Sequence, residues 1–316
     1  MTPPDPRTTI APKTRQLVAT PPRTTDYVIV SPVRNEADYL GETIRSIVGQ
    51  TVRPARWVIV DDGSEDETPA IVESAARHHD WIRLVRRERR SERRVGGGVV
   101  DAFKFGLESI RDLDYAFLCK LDGDLRLGRT YFERLLEHFD RDPGLGTLSG
   151  KCYLVDEERL VLERTNDDFS LGAAKFYRRT CYEEIGGFVS EVMWDGIDCH
   201  RCRMLGWKAG SLDDPELVIQ HLRRMGSSHK SVFHGRIRHG RGQYFMGTHP
   251  LYMALSGLYR MREVPVIAGG LLMIWGYFLA ALRGVKRYED PEFRRHLRRW
   301  QLKRLIPGRR RPGRKR

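Results

Sequence analysis

Four apolar runs in the first 121 residues set the limits on what this chain can fold into. Tyr27–Val30 stops at Ser31-Pro32, and Arg56–Val60 stops at Asp61-Asp62-Gly63. Ile82–Val85 is a third run, and Tyr115–Leu121 stops at Asp122-Gly123-Asp124. Within each run apolar residues follow one another without alternating polar ones, as in strands buried on both faces. Between the runs the spacing turns helical. Ala37–Val48 places Leu40, Ile44 and Ile47 on one stripe before Gly49, Thr68–Ala76 reads as a second helix, and Val99–Ile110 aligns Phe103, Leu107 and Ile110. Strand and helix in alternation predict an α/β chain with a mostly parallel sheet flanked by helices.

In such sheets ligands bind beyond the carboxyl ends of the strands. Three polar clusters fall there: Pro32–Glu36, Asp61–Ser64 and Asp122–Asp124. A turn-forming role accounts for Gly63 and Ser64 but not for acid at the end of each strand. With their neighbours these clusters read "VSPVRNEADYLGETIRSI", "VDDGSEDET", "CKLDGDL" and, further on, "MWDGIDCHRCRMLGW". In that order they resemble the motifs of a family 2 glycosyltransferase with the GT-A fold, a Rossmann-like mixed sheet. The resemblance runs over roughly residues 26–224.

The resemblance implies an inverting enzyme that uses a nucleotide-sugar donor and a divalent cation, Mg²⁺ or Mn²⁺. It assigns Asp124 to the metal and Asp122 to the metal and the ribose. The chemistry agrees. A leaving diphosphate needs neutralising, hard cations take carboxylate oxygens, and two unit charges about 4 Å apart at an effective dielectric near 20 interact by roughly 4 kcal/mol. By the same resemblance Asp62 reads the nucleobase. A carboxylate only accepts hydrogen bonds, which suits the imide of uracil or the N1–H edge of guanine. Asp61 is its less certain companion, and Pro32, Arg34 and Glu36 line the first strand end. Ser64 to Glu67 fits a capping box for the next helix. Arg94 and Gly97 precede a helix whose N-terminus can cradle an anion.

An inverting transfer needs a carboxylate to take the acceptor proton. The resemblance assigns this to Asp195, with Asp198 three residues on as the alternative and Arg201 at the family's offset for its arginine. The glutamate usual before the base is replaced by Trp194, whose ring is expected to stack on an acceptor sugar. His221, after an apolar run, is expected to complete the metal site. Arg223 and Arg224 could hold the diphosphate or face water. "QHLRRM" lacks the tryptophan of processive members, so single-sugar transfer is expected.

Charge divides the chain. Residues 283–316 carry 15 Lys/Arg and 3 Asp/Glu, a net +12 of the total +13. The nearly neutral remainder argues against a nucleic-acid-binding body, and no glycine-rich loop follows the first strand, against a nucleotidyltransferase. A non-catalytic nucleotide-sugar-binding protein is the other alternative. Five cysteines without regular spacing point to a reducing compartment. Residues 264–282 are 19 in number and uncharged, long enough for a span, yet the basic flank would place the catalytic part on the wrong side. A helix lying in the membrane interface or packed on the domain is therefore expected. The organisation expected is a disordered leader over 1–25, a catalytic domain over 26–225, an acceptor-side loop and helix over 226–262, a membrane-associated helix over 263–283, and a basic tail over 284–316 that binds an anionic membrane surface. That places the protein in the cytoplasm at the inner membrane face, acting on a glycan or lipid-linked acceptor.

Overall fold

The structure, a computed structural model, describes residues 26–88, 96–156, 159–163, 165–223, 232–262 and 265–306. The expected leader and Arg94 lie outside these residues. In chain order the first half comprises β1 (Tyr27–Val33), α1 (Ala37–Val48), β2 (Arg56–Asp61), α2 (Thr68–His78), β3 (Ile82–Arg86), α3 (Gly97–Glu108), β4 (Phe117–Leu121), β5 (Leu125–Leu127), α4 (Tyr131–Arg141) and β6 (Leu145–Ser149). There follow β7 (Lys151–Asp156), β8 (Arg159–Leu162), β9 (Ala174–Arg178), α5 (Arg179–Glu184), α6 (Trp194–Met204), β10 (Lys208–Ser211), β11 (Val218–His221), α7 (Val232–Met246), α8 (Pro250–Arg260), α9 (Ala268–Leu282) and α10 (Pro291–Leu305).

The main sheet has the order β10-β6-β9-β4-β1-β2-β3. β1 pairs in parallel with β2 and β4, and β2 with β3, while β9 runs antiparallel between β4 and β6. The reason for the continuous apolar runs is visible in the two cores. Tyr27, Ile29, Trp57 and Ile59 point into one, and their neighbours Val28, Val30, Val58 and Val60 into the other. Successive side chains in a strand face opposite sides, and here helices cover both sides. A second sheet, β5-β11-β7-β8, extends from the end of β4. It is non-local, joining β5 to β11 antiparallel with His221 opposite Leu125.

In the C-terminal third the uncharged segment takes one of the two expected arrangements, packed on the domain, while the basic tail departs from expectation. The uncharged segment forms only the 15-residue α9, about 22 Å at 1.5 Å per residue. Among the described residues no helix is long and apolar enough to cross a membrane. Instead α9 packs on α7 and α8 through glycines. A Cβ on Gly276 would lie 2.3 Å from the Ile237 carbonyl oxygen, and one on Gly270 2.3 Å from that of Gly257. Backbones meet where side chains would otherwise hold them apart. The departure is in the basic tail, which is folded as far as α10. Phe293 and Leu297 are fully buried against Ile197 and Met246, and the Asp290 side chain caps the helix at the Phe293 N–H (2.9 Å). The arginines of α10 therefore decorate a docked helix rather than a free tail.

Gly276→Val should force α7 and α9 apart. Overpacking of this kind costs about 1–3 kcal/mol, so the thermal midpoint should fall by several degrees, measured by calorimetry. Gly284→Val, at a position with no neighbour within 4 Å but with φ 62°, tests backbone strain without the clash.

Candidate active site

The acids of "VDDGSEDET" have separate tasks. The Asp61 carboxylate, buried, accepts the Ser64 N–H (3.0 Å) through Oδ1 and closes the turn. The Asp62 carboxylate is instead held by the Arg87 guanidinium (2.7 Å) just past β3. The expected capping box from Ser64 to Glu67 does not form. Ser64 Oγ accepts the Asn35 N–H (3.0 Å), Asp66 accepts the N–H groups of Ala37 (3.1 Å) and Thr68 (3.0 Å), and Thr68 Oγ1 accepts the Glu36 N–H (2.8 Å). Thus the second loop caps α1, the helix after the first loop. Asn35 sits at φ 54° and its amide oxygen accepts the Glu65 N–H (2.9 Å). The ends of β1 and β2 are fixed to each other by these bonds. Pro32 and Arg34 are half-buried beside them.

Asp122-Gly123-Asp124 is pinned from α1: the Thr43 hydroxyl donates to the Gly123 carbonyl (2.8 Å) and accepts the Leu125 N–H (3.0 Å). A Cβ on Gly123 would stand 2.9 Å from Val33 Cγ1, so the glycine is what lets this loop meet the end of β1. The β5–β11 pairing then brings His221 beside Asp124, with Nε2 3.7 Å from Oδ2. On its other side His221 Nδ1 is 3.0 Å from the Glu163 carboxylate. Burial pulls the imidazole down, but the Glu163 hydrogen bond and the charges of Asp124 and Glu163 hold it above its usual value. Arg223 bridges Asp124 and Glu36, 2.6 Å from each. The second oxygen of Glu36 is buried and has no hydrogen-bond partner among the described residues. Burial pushes the Glu36 carboxyl up to about 7, against the opposing pull of Arg223.

Lys120, in the middle of β4, turns to the same end and donates to Asp122 and to the Gly172 carbonyl (2.6 Å). Gly172 also borders Asp195: a Cβ there would be 3.2 Å from Asp195 Oδ2. Lys120 and Gly172 therefore join the aspartate loop to the start of α6. Asp195 is half-buried in the first turn of that helix. Asp198 is not an available base. It is 1% exposed, and its carboxylate takes hydrogen bonds from Lys175, Tyr177 and the Cys199 N–H (2.6 Å). Trp194 is likewise not an open sugar platform. Its indole is buried against Phe188, with ring centroids 4.6 Å apart, and Lys120 and Lys175 approach its ring at 5.4 and 5.5 Å. Arg201 lies 3.5 Å from a Cβ placed on Gly186, away from the aspartates on the far part of α6. Gly97 is buried in the first turn of α3.

The donor set at the strand ends suits a hard divalent cation: the Asp124 carboxylate, the Asp122 carboxylate, one imidazole nitrogen, and an unsatisfied buried Glu36 oxygen. Arg223 and Lys120 supply positive charge at those acids. Sequence reading missed Arg87, Lys120 and Glu163. Lys120 carried a signal, a lone cation inside an apolar strand. Glu163 carried none, since only the β7–β8 hairpin delivers it.

Two outcomes follow from these contacts. Asp198→Ala leaves Lys175 buried and unpaired, and should cost about 3–5 kcal/mol in urea unfolding, whereas Asp195→Asn should leave stability within about 0.5 kcal/mol. Glu36 is neutral in the folded state and ionised in the unfolded state between its ordinary 4.5 and about 7. The unfolded state then binds fewer protons, so stability should fall as pH rises through that window, by up to about 3 kcal/mol. Glu36→Gln should flatten this slope in urea titrations without added metal.

The family model for glycosyl transferase family 2 matches residues 28–188, 161 of the 316 residues. Among curated relatives, the poly-β-1,6-N-acetyl-D-glucosamine synthase of Staphylococcus aureus is 25% identical over 127 residues, 40% of this chain and 28% of that protein. An uncharacterized glycosyltransferase of Bacillus subtilis, EpsJ, is 26% identical over 114 residues, 36% of this chain and 30% of that one. The matched stretch is under a third of either relative's length. Among solved structures, the mannosyltransferase PcManGT from Pyrobaculum calidifontis, in complex with GDP-Man and Mn²⁺, superposes with a TM-score of 0.51 at 16% identity, covering 87% of this chain and 84% of that one. S. aureus TarS 1–349 in complex with UDP-GlcNAc gives 0.51 at 16% identity, covering 86% and 78%. These likenesses establish a GT-A type α/β fold, and the family match, over half of the chain, establishes membership: this chain belongs to glycosyl transferase family 2.

Proposed function

We propose that the protein is a metal-dependent inverting transferase that moves one sugar at a time from a UDP- or GDP-linked donor to a lipid-linked or polysaccharide acceptor at the cytoplasmic face of a membrane. The observation that carries the reading is the convergence of Asp62, Asp122, Asp124, Glu36 and His221 at the strand ends, with Asp195 joined to them through Gly172 and Lys120. The partners bound by PcManGT and TarS, GDP-Man with Mn²⁺ and UDP-GlcNAc, support a nucleotide-sugar donor here.

In this reading Asp62, oriented by Arg87, accepts a hydrogen bond from the ring N–H of the nucleobase. Asp124 and His221 would hold a divalent cation, with Asp122 beside them. When bound, that cation neutralises charge on the departing diphosphate. Glu163 accepts the His221 Nδ1 hydrogen and so keeps Nε2 toward Asp124. Arg223 releases Asp124 and Glu36 and becomes available to the diphosphate oxygens. Asp195 takes the proton from the acceptor hydroxyl as its oxygen bonds to the anomeric carbon and the bond to the diphosphate breaks on the opposite face. The nucleoside diphosphate leaves, and the configuration inverts.

The test is a donor screen: purified protein with Mn²⁺ and a panel of UDP-, GDP- and TDP-sugars, read as nucleotide release. Asp124→Asn should abolish metal-dependent release while the far-UV spectrum is kept, and turnover that persists undiminished in EDTA would refute the metal assignment. Asp195→Asn should lower transfer by about 10²–10⁴-fold, the usual contribution of a general base, with donor affinity nearly unchanged in calorimetric titration. A comparable loss of donor affinity would place Asp195 on the donor side instead.

A further inference from the structure

α9 has no hydrophilic face. Gly269, Gly270, Met273, Gly276, Tyr277 and Ala280 are buried against the rest of the protein, and the one side-chain hydroxyl among them, on Tyr277, donates to the Thr248 carbonyl (2.6 Å). The opposite stripe, Leu271, Trp275, Phe278 and Leu282, is exposed at 52, 56, 42 and 81%. Its spacing of four, three and four residues puts these side chains on one line of the helix. On α8 the exposed residues Leu251, Leu255 and Leu258 repeat the four-and-three spacing, and exposed Tyr259 follows next in sequence. The turn between the helices adds Val266 and Ile267, both more than half exposed, with Ile267 held at φ 63°. That conformation is unfavourable for a β-branched residue, and here it presents another apolar side chain to the outside. Two adjacent helices thus expose a continuous series of large apolar groups, far beyond the scattered exposure normal for a protein surface.

Charge decides what covers this face. Residues 232–288 contain eight Lys/Arg and a single acid, Glu263. Arg262 and Arg283, both exposed, stand directly after α8 and α9. A second copy of the chain docking on the same face would bring like charges together around the contact. An anionic lipid surface would meet the arginines with phosphate and the apolar stripe with acyl chain, and an exposed Trp and Tyr suit the boundary between the two.

We propose that the exposed faces of α8 and α9 are a monotopic membrane-docking surface for anionic phospholipid. It rests on the reading above only in naming what it delivers. Gly242 of α7 abuts Met193, two residues before Asp195, so closely that a Cβ would lie 2.6 Å from Met193 Cγ, and α7 is also the helix on which α9 is seated. Docking therefore links the bilayer-bound helices, through α7, to the start of α6 that carries Asp195. Insertion through α8 and α9, rather than adhesion by the basic C-terminal residues, is the specific claim.

The test uses the full chain and sedimentation with phosphatidylcholine vesicles, with and without phosphatidylglycerol, at near-physiological salt. The wild type should bind the anionic vesicles, with brominated acyl chains quenching tryptophan fluorescence. Leu271→Glu/Trp275→Glu, at exposed positions, should keep its thermal midpoint and its affinity for nucleotide while losing about tenfold or more of vesicle binding. Arg283→Glu should lose the preference for phosphatidylglycerol. A chain ending at Ile306 should keep the acyl-chain quenching. Vesicle binding unchanged in the double variant would overturn the proposal. So would a wild-type dimer in light scattering that the same variant dissociates without any change in lipid binding. If donor sugars are not turned over but the double variant still loses vesicles, the enzymatic reading fails and the docking surface stands.

Discussion

Carboxylates gathered at one edge of a sheet must be compensated, and most of this site is built around that electrostatic demand. A parallel sheet sends the ends of β1, β2 and β4 to the same edge, so Glu36, Asp62, Asp122 and Asp124 converge without any further instruction. Each aspartate has its cation: Arg87 for Asp62, Lys120 for Asp122, and Arg223 for Asp124, with Arg223 also donating to Glu36. Unit charges this close, at an effective dielectric near 20, interact by several kcal/mol, and like charges without counterions would oppose folding. The positive groups make a dense acidic site compatible with a stable fold.

The compensating cations arrive from distant parts of the chain, and that ties the architecture together. Arg223 follows β11, which belongs to the smaller sheet and pairs with β5 just after the aspartate loop. Lys120 reaches Gly172, next to Asp195 on α6. The aspartate loop and the start of α6 are therefore joined by one set of contacts. By contrast, the buried group Asp198–Lys175–Tyr177 has no open side. Its ion pair holds α6 onto β9, and so fixes the direction in which Asp195 faces.

Beyond the sheet, the helical C-terminal portion is assembled by glycine. α7, α8 and α9 approach through Gly240, Gly257, Gly270 and Gly276, at distances that forbid any larger residue. Close backbone packing buries one side of α9 efficiently and leaves its other side, equally apolar, at the surface. The uncharged segment is thus neither a span nor a core helix; it is half of each.

The sequence by itself determined the alternation of strands and helices, because continuous apolar runs and helical spacing are local patterns that the two covering layers of a parallel sheet require. It also determined which acids stand at strand ends, since chain direction in a parallel sheet dictates that edge. α1 occupies the residues that periodicity indicated, and α2 and α3 differ only at their ends. Tertiary structure alone decided how the acids divide. Asp61 and Asp66 look like Asp62 in sequence, but hydrogen bonds to loop N–H groups claim them, whereas Arg87 claims Asp62. Asp195 and Asp198 lie one helical turn apart, and only the neighbouring strand β9, with Lys175 and Tyr177 pointing at Asp198, separates the accessible acid from the buried one. Trp194 and Glu163 follow the same rule, since burial and partnership are set by elements remote in sequence. The C-terminal arginines were legible as charge, but that they ride on a docked helix depends on Phe293 and Leu297 finding α6.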